Sequence, residues 1–169
     1  MSTESFVTFA YGSNMSAARL RERCPSARAI GIAELPGHEL RWHKRSRDGS
    51  GKCDIVASDA ISVFGVLYEI AAHEKPALNS AEGLGAGYEE IDIDVNCGGE
   101  RVTAKAYRAT DTDPALRPYS WYRALVISGA KEHGLPASYI AGLESVLADN
   151  DTNRTRHDKS MALIAEVQA

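Results

Sequence analysis

Two short stretches place reactive groups beside flexible backbone. In Ala81-Glu82-Gly83-Leu84-Gly85-Ala86-Gly87-Tyr88 a carboxylate is followed by three glycines in five positions. Glu82 falls where a helix is expected to end, and a carboxylate on rigid structure beside a glycine-rich opening can act as a general base. At the ordinary glutamate pKa of about 4.3 it is too weak, so the role requires a closed pocket that raises it by desolvation. Spacing alone also fits a solvated glutamate at a helix end. The glycines form GxGxG after a helix, not GxGxxG after a strand, which excludes a dinucleotide cradle. The second stretch is Tyr11-Gly12-Ser13-Asn14-Met15. Unpaired N–H groups at a helix start, with the helix dipole behind them, favour a carboxylate or an oxyanion. A glycine there lets a ligand approach the main chain. An ordinary capped turn explains the same residues.

Other combinations are weaker. Histidines 38, 43, 73, 133 and 157 show no HExxH or paired ligand spacing, so no metal site is expected. Cys24, Cys53 and Cys97 lie far apart without a CxxC pair, a set that suits reduced thiols. No GxSxG elbow is present, and no cysteine has an evident histidine partner. Arg41, Lys44, Arg45, Arg47 and Lys52 cluster around one loop. Such a cluster is either a solvated hairpin or an attractor for an anionic substrate.

The elements that position these groups follow from periodicity. Residues 6–10 are a β-branched and aromatic run, read as a strand that delivers the chain to Gly12. A helix is expected over 15–23, stopped by Pro25. Strands are expected at 27–35, 38–43, 53–57 and 61–70, with a polar loop over 45–52. A helix over 74–82 tolerates Pro76 in its first turn and carries Glu82 at its end. Residues 88–96 alternate, with Ile91, Ile93 and Val95 on one face, and Gly98-Gly99 makes a two-residue hairpin to a strand over 101–108. From Trp121 the period is helical through about 132. Gly134-Leu135-Pro136 breaks it, and a second helix carries Tyr139, Ile140, Leu143, Val146 and Leu147. The last 20 residues start polar and close on a short helix with Met161, Ile164 and Val167. Six or seven strands followed by paired helices indicate an α+β domain with a closed or strongly curled sheet. One domain is expected over 1–169, its core at about 6–148 and a tail at 149–169.

Composition agrees with that class. Of 169 residues 44% are apolar and 25% charged, which excludes a disordered, collagenous or coiled-coil chain. Nineteen Lys and Arg against 23 Asp and Glu leave a net charge of −4. Nonspecific nucleic-acid binding, which needs clustered positive charge, is not expected. The first residues hold no basic stretch leading into an apolar run, so no signal peptide is expected. The most apolar segment, 61–72, is interrupted by Glu69 and falls short of the roughly 20 residues that span a bilayer. A cytoplasmic location follows as the expectation.

Three segments, in order, resemble the γ-glutamylcyclotransferase superfamily, also called AIG2-like. Tyr11-Gly12-Ser13-Asn14-Met15 after the first strand is similar to its hallmark. Ala81-Glu82-Gly83 followed by Tyr88 resembles its EG…Y segment. Tyr122, leading on a helix into Gly129-Ala130-Lys131-Glu132-His133-Gly134-Leu135-Pro136, resembles its C-terminal signature. The resemblance spans roughly residues 6–148 and implies a small mixed β-barrel with flanking helices around a cavity for a γ-glutamyl group. It implies an intramolecular acyl transfer, in which the substrate's α-amine attacks its own γ-carbonyl, giving 5-oxoproline and a free amine or amino acid. Glu82 is the implied acid/base. Tyr11, Gly12, Ser13, Asn14, Tyr88 and Tyr122 are the implied substrate-binding residues, with Tyr107 a further lining group. No cofactor and no metal are implied. The implied partner is a small γ-glutamyl molecule, with no nucleic acid or membrane, and the protein is expected as a monomer or homodimer. The hallmark residues point toward the branch that acts on γ-glutamyl amino acids. Two alternatives stay open: a non-catalytic binding member of the fold, and an enzyme that removes a γ-glutamyl group from a secondary metabolite.

Overall fold

Val, Ile, Phe and Tyr crowd the segments that form strands, and their alternation decides which face each strand buries. The structure, a computed structural model, describes residues 4–168. Residues 1–3 and 169 lie outside the described residues, as do the side chains of Ala60 and of 166–168, Val167 included. Five strands are found among the described residues: β1 (Ser5–Ala10), β2 (Arg28–Arg45), β3 (Gly51–Ala71), β4 (Tyr88–Cys97) and β5 (Glu100–Ala109). They close a barrel in the order β1-β3-β2-β4-β5. Neighbours are antiparallel except where β1 meets β5 in parallel, Thr8 opposite Lys105. This is the small mixed barrel expected.

The seven strand segments read from the sequence become five because two pairs are continuous. β2 runs on through Pro36 and Gly37, and its pairing with β3 shifts register between Pro36 and His38. A bulge bends a strand without ending it, so Pro-Gly marks a bend here and not a boundary. β3 runs unbroken from Gly51 to Ala71. The β4–β5 hairpin turns at Gly98-Gly99, with Cys97 opposite Glu100.

Among the described residues five α-helices flank the barrel: α1 (Ala17–Arg21), α2 (Lys75–Glu82), α3 (Ser120–His133), α4 (Ala137–Glu144) and α5 (Arg154–Gln168). α1 is shorter than the helix expected over 15–23. Ser13–Met15 forms a separate 3-10 turn, and Ser16 caps α1 by accepting from the Arg19 N–H at 3.3 Å. α4 stops at Glu144, before the expected Val146 and Leu147, and Leu147 is exposed. The tail beyond 149 is built in: α5 packs on α3, Leu163 is buried, and Trp121 donates its indole N–H to Asp151 at 2.8 Å. Phe9, Leu20, Val66, Leu67, Ile70, Leu78, Val95 and Leu125 fill the interior, each at most 2% exposed. Burying a side chain of this size contributes about 1.5–3 kcal/mol. The top of that core is the floor of the site.

Candidate active site

The turn after β1 is held from behind. Met15 is fully buried, and its carbonyl accepts from the Tyr68 hydroxyl at 2.7 Å and lies 3.0 Å from His133 Nε2. α3 crosses the same turn at Gly129, where a Cβ would lie 2.6 Å from the Ser16 nitrogen and 2.8 Å from Met15 Cβ. Only glycine permits that approach, and this is the structural use of Gly129 in the segment that resembles the C-terminal signature. The N–H groups of Met15 and Ser16 return to the carbonyls of Gly12 and Ser13 at 3.1 Å. Those of Gly12, Ser13 and Asn14 precede this pattern and have no acceptor within the turn, as at any helix start. A three-residue turn has little dipole, so the N–H groups themselves must supply any attraction for an anion, a correction to the helix-start expectation.

Gly12 has φ −114°, so it is not a left-handed position. Glycine is required by contact instead: an added Cβ would lie 3.0 Å from Tyr122 Oη and 3.3 Å from Cys53 Cβ.

α2 presents Glu82 as its last residue, and Gly83, in the left-handed conformation at φ 70°, ends the helix. Asn14 Nδ2 donates to Glu82 Oε1, and Arg23 Nη1 donates to Asn14 Oδ1 at 2.8 Å. A guanidinium only donates, so the amide has one orientation, oxygen toward Arg23 and nitrogen toward Glu82. Asn14, expected among the substrate contacts, uses both ends of its amide on the protein. Glu82 is half-buried. Loss of solvent around its carboxyl is the largest influence and raises its pKa above the ordinary value. Arg23, Arg19, the Asn14 hydrogen bond and Lys44 oppose that rise and together are weaker.

Cys53 holds two tyrosines through its main chain. Its N–H donates to Tyr122 Oη at 3.1 Å, and its carbonyl accepts from Tyr88 Oη at 2.7 Å. Tyr11 donates to the Tyr107 carbonyl, and Tyr107 donates to Asn79 Oδ1. Burial pushes Tyr11, Tyr88 and Tyr122 well above the ordinary tyrosine pKa, so all three are neutral phenols at physiological pH. The protons of Tyr11, Tyr88 and Tyr107 already go to protein oxygens. Burial also pushes the Cys53 thiol up to about 12, which makes it a poor nucleophile.

These groups enclose a cavity of about 50 Å³. All seven residues singled out in the sequence line it, and residues 8–10 of β1 with Leu20, Cys53, Leu78 and Tyr107 complete the wall. At 10–15 Å³ per water it has room for about three to five. An outer space of about 110 Å³ shares Ser13, Glu82, Tyr88 and Tyr122 with it and adds Arg19, Arg23, Lys44 and Lys52. Of the basic cluster around residues 41–52, Arg41 and Arg45 pair outward with Glu39, Asp111 and Asp113, whereas Lys44 and Lys52 turn in. Cys53 gave no signal in the sequence, because it acts through main-chain atoms. Arg19 and Arg23 did leave one, a four-residue spacing directly after the turn. Among the described residues no group of three or more His, Cys, Asp or Glu is placed to hold a metal ion.

Known proteins share this arrangement of elements. The chain is similar to the γ-glutamylcyclotransferase of Bos taurus, 31% identical over 156 residues that cover 85% of this chain and 79% of that protein. It is similar to the γ-glutamylcyclotransferase of Homo sapiens, 30% identical over 162 residues that cover 92% and 86%. Residues 62–143 match the AIG2-like family. A solved structure of a γ-glutamyl cyclotransferase superposes with a TM-score of 0.88 at 27% identity, covering 96% of this chain and 99% of that one. No helix among the described residues is long and apolar enough to cross a membrane.

Proposed function

The chain belongs to the γ-glutamylcyclotransferase family, and from that premise we propose that it cyclises the γ-glutamyl group of small molecules to 5-oxoproline, with Glu82 as acid and base. The observation that carries the reading is Glu82 itself. It is a carboxylate held by Asn14, raised in pKa by burial, and set in the wall between the inner cavity and the outer space.

Ring closure is already unimolecular, so the protein's first task is to hold the glutamyl chain folded with its α-nitrogen against its γ-carbonyl. The glutamyl group sits with its anionic oxygen in the inner cavity, on the N–H groups of Gly12 and Ser13. That oxygen is the α-carboxylate or the oxyanion that develops at the γ-carbon. Glu82 takes a proton from the α-ammonium and frees the amine. The amine forms the ring C–N bond, and the γ-carbonyl electrons move onto oxygen. As that oxygen returns its electrons, the bond from the γ-carbon to the departing nitrogen breaks, and Glu82 delivers a proton to it. Two protons leave the α-nitrogen over the cycle and two arrive on the leaving nitrogen, so no water is consumed. A base with a raised pKa suits both halves of that shuttle. Asn14 acts through Glu82, and Arg23 fixes Asn14. Among the four site tyrosines Tyr122 is the phenol whose proton is not given to a protein oxygen; its hydroxyl has the Cys53 side chain beside it, and on this reading it turns to donate to the substrate. Tyr11 and Tyr88 shape the wall. No step calls for a metal, a cofactor or a nucleic acid, and one domain over 1–169 working in the cytoplasm meets every requirement.

Incubation with γ-glutamyl dipeptides tests this directly. The expected result is 5-oxoproline and free amino acid in equal amounts. Saturable binding of the same dipeptides without product would overturn the reading in favour of a non-catalytic member of the fold.

A further inference from the structure

We infer that the outer space beside Glu82 is an anion subsite for an acidic leaving residue, so that the preferred substrate is a γ-glutamyl dipeptide with aspartate or glutamate second. The inference rests on the cyclotransferase reading above. The inner cavity of about 50 Å³ is too small for a dipeptide. The departing nitrogen must stay within reach of Glu82, so the leaving residue passes to the far side of that carboxylate. There it enters the space of about 110 Å³ that shares Ser13, Glu82, Tyr88 and Tyr122 with the cavity.

Four cations line that space, Arg19, Arg23, Lys44 and Lys52. Lys52 has Asp48 at 3.3 Å and stands 4.3 Å from the ring centroids of both Trp121 and Tyr122. The other three have no carboxylate within ion-pair distance among the described residues. Lys44 is only 8% exposed, its ammonium 4.6 Å over the Tyr88 ring. Arg19 Nε is sealed from solvent without an acceptor, and Arg23 uses one N–H on Asn14. Burial and the neighbouring Arg23 both weigh against the charge on Arg19, and burial weighs against the charge on Lys44. Buried cations are ordinarily paired. On the outer face of the barrel Arg28, Arg41, Arg101, Lys105 and Arg108 each reach a carboxylate. With Lys52 matched by Asp48, and Glu82 ionised, two positive charges in the outer space remain unmatched. A simple amine brings no negative charge to them, and a neutral amino acid brings one carboxylate. Aspartate or glutamate brings two.

The test compares γ-glutamyl-glutamate, γ-glutamyl-alanine and γ-glutamyl-isopropylamine by kcat/KM for 5-oxoproline release. The expected order is the acidic dipeptide first, at least tenfold over the alanine compound, with the amine last. The ratio between the two dipeptides should shrink with added salt and in Lys44→Gln. Lys52→Gln and the salt series on the unaltered protein decide the matter if Lys44→Gln does not fold. Equal kcat/KM for the two dipeptides, or a ratio indifferent to salt, overturns the subsite and leaves the cyclotransferase reading standing. If no compound yields 5-oxoproline, that reading falls. The subsite is then judged by calorimetric binding of the two dipeptides to Glu82→Gln protein, where equal affinity overturns it.

Discussion

Replacing Gly12 with alanine probes its contacts with Tyr122 and Cys53. The φ of Gly12, −114°, is not in the left-handed region, so the effect is worked from what the methyl meets. It would lie 3.0 Å from Tyr122 Oη and 3.3 Å from Cys53 Cβ. Comfortable separations are about 3.5–4.0 Å, so the phenol must yield by several tenths of an ångström. Overpacking of this kind costs about 1–3 kcal/mol. The displaced hydroxyl also strains the bond it accepts from the Cys53 N–H at 3.1 Å, a bond worth about 0.5–1.5 kcal/mol. Gly12→Ala is therefore expected to lose about 1–3 kcal/mol by urea denaturation. Its kcat/KM should fall roughly tenfold to a hundredfold, since a 1 Å misplacement costs about 10²-fold. Tyr122→Phe removes the obstacle and leaves the Cys53 N–H unsatisfied, costing about 1–3 kcal/mol alone. The double variant keeps the 3.3 Å approach to Cys53 Cβ but loses the clash with Oη and the bond to strain, so it should be more stable than the two single effects predict by about 1 kcal/mol. Effects that add within about 0.3–0.5 kcal/mol would refute the argument, because residues that touch should couple.

Glu82→Gln is nearly isosteric but carries no proton, so turnover should drop about 10²–10⁴-fold with the circular dichroism spectrum unchanged. The raised carboxyl of Glu82 binds its proton more tightly folded than unfolded, so it contributes stability below the unfolded pKa of about 4.3 that is lost as pH rises through the folded value. Glu82→Gln should then gain on the unaltered protein as pH rises from about 4 to 7, and a pH-independent gap in urea midpoints would contradict the raised pKa. Ser13→Ala removes a hydroxyl but no main-chain donor, whose loss would cost about 10²–10³-fold. Kinetics should show a mild effect, and a Ser13→Ala enzyme as inactive as Glu82→Gln would make the hydroxyl part of the chemistry. Cys24 and Cys53 are buried, with thiols pushed up to about 11 and about 12, whereas Cys97 is half-buried. A thiol reagent at neutral pH should therefore label one cysteine in the native protein and three after unfolding.

Much of the barrel was legible because its signals are local. The alternation of Ile91, Ile93 and Val95 and the Gly98-Gly99 pair each determine a feature within a few residues. The joining of segments across Pro36-Gly37 was not legible, since a proline and glycine between strands read alike whether the strand ends or bulges. Only pairing with β3 decides between them. The same limit shortened α1: residues 15–23 contain helix formers, but Met15 is withdrawn into the core and Tyr68 takes its carbonyl. In the site, residue types exposed Glu82 and the Gly12 turn. The contributions of Cys53 and Asn14 come from hydrogen bonds made over separations of 35 to 69 positions. No pattern of side-chain types announces those. Lys44 and Lys52 stood in a cluster that read either as a solvated hairpin or as an attractor for an anionic substrate, and their inward turn depends on which strand face each occupies.

The seam between β1 and β5 has a consequence for how the protein is made. Thr8 bonds the Lys105 carbonyl at 3.1 Å across 97 positions of chain, and Tyr11 reaches Tyr107 across 96. At synthesis rates of about 5–20 residues per second, the hallmark turn waits roughly 5–20 s for the strand that completes its wall. Contacts of such separation close late and slowly. A nascent chain stalled before β5 would carry every residue from Tyr11 to Tyr88 and still have no cavity. In refolding, recovery of 5-oxoproline release should follow the slowest phase that closes the sheet. Catalytic activity is therefore a direct clock for the joining of the two ends of the barrel.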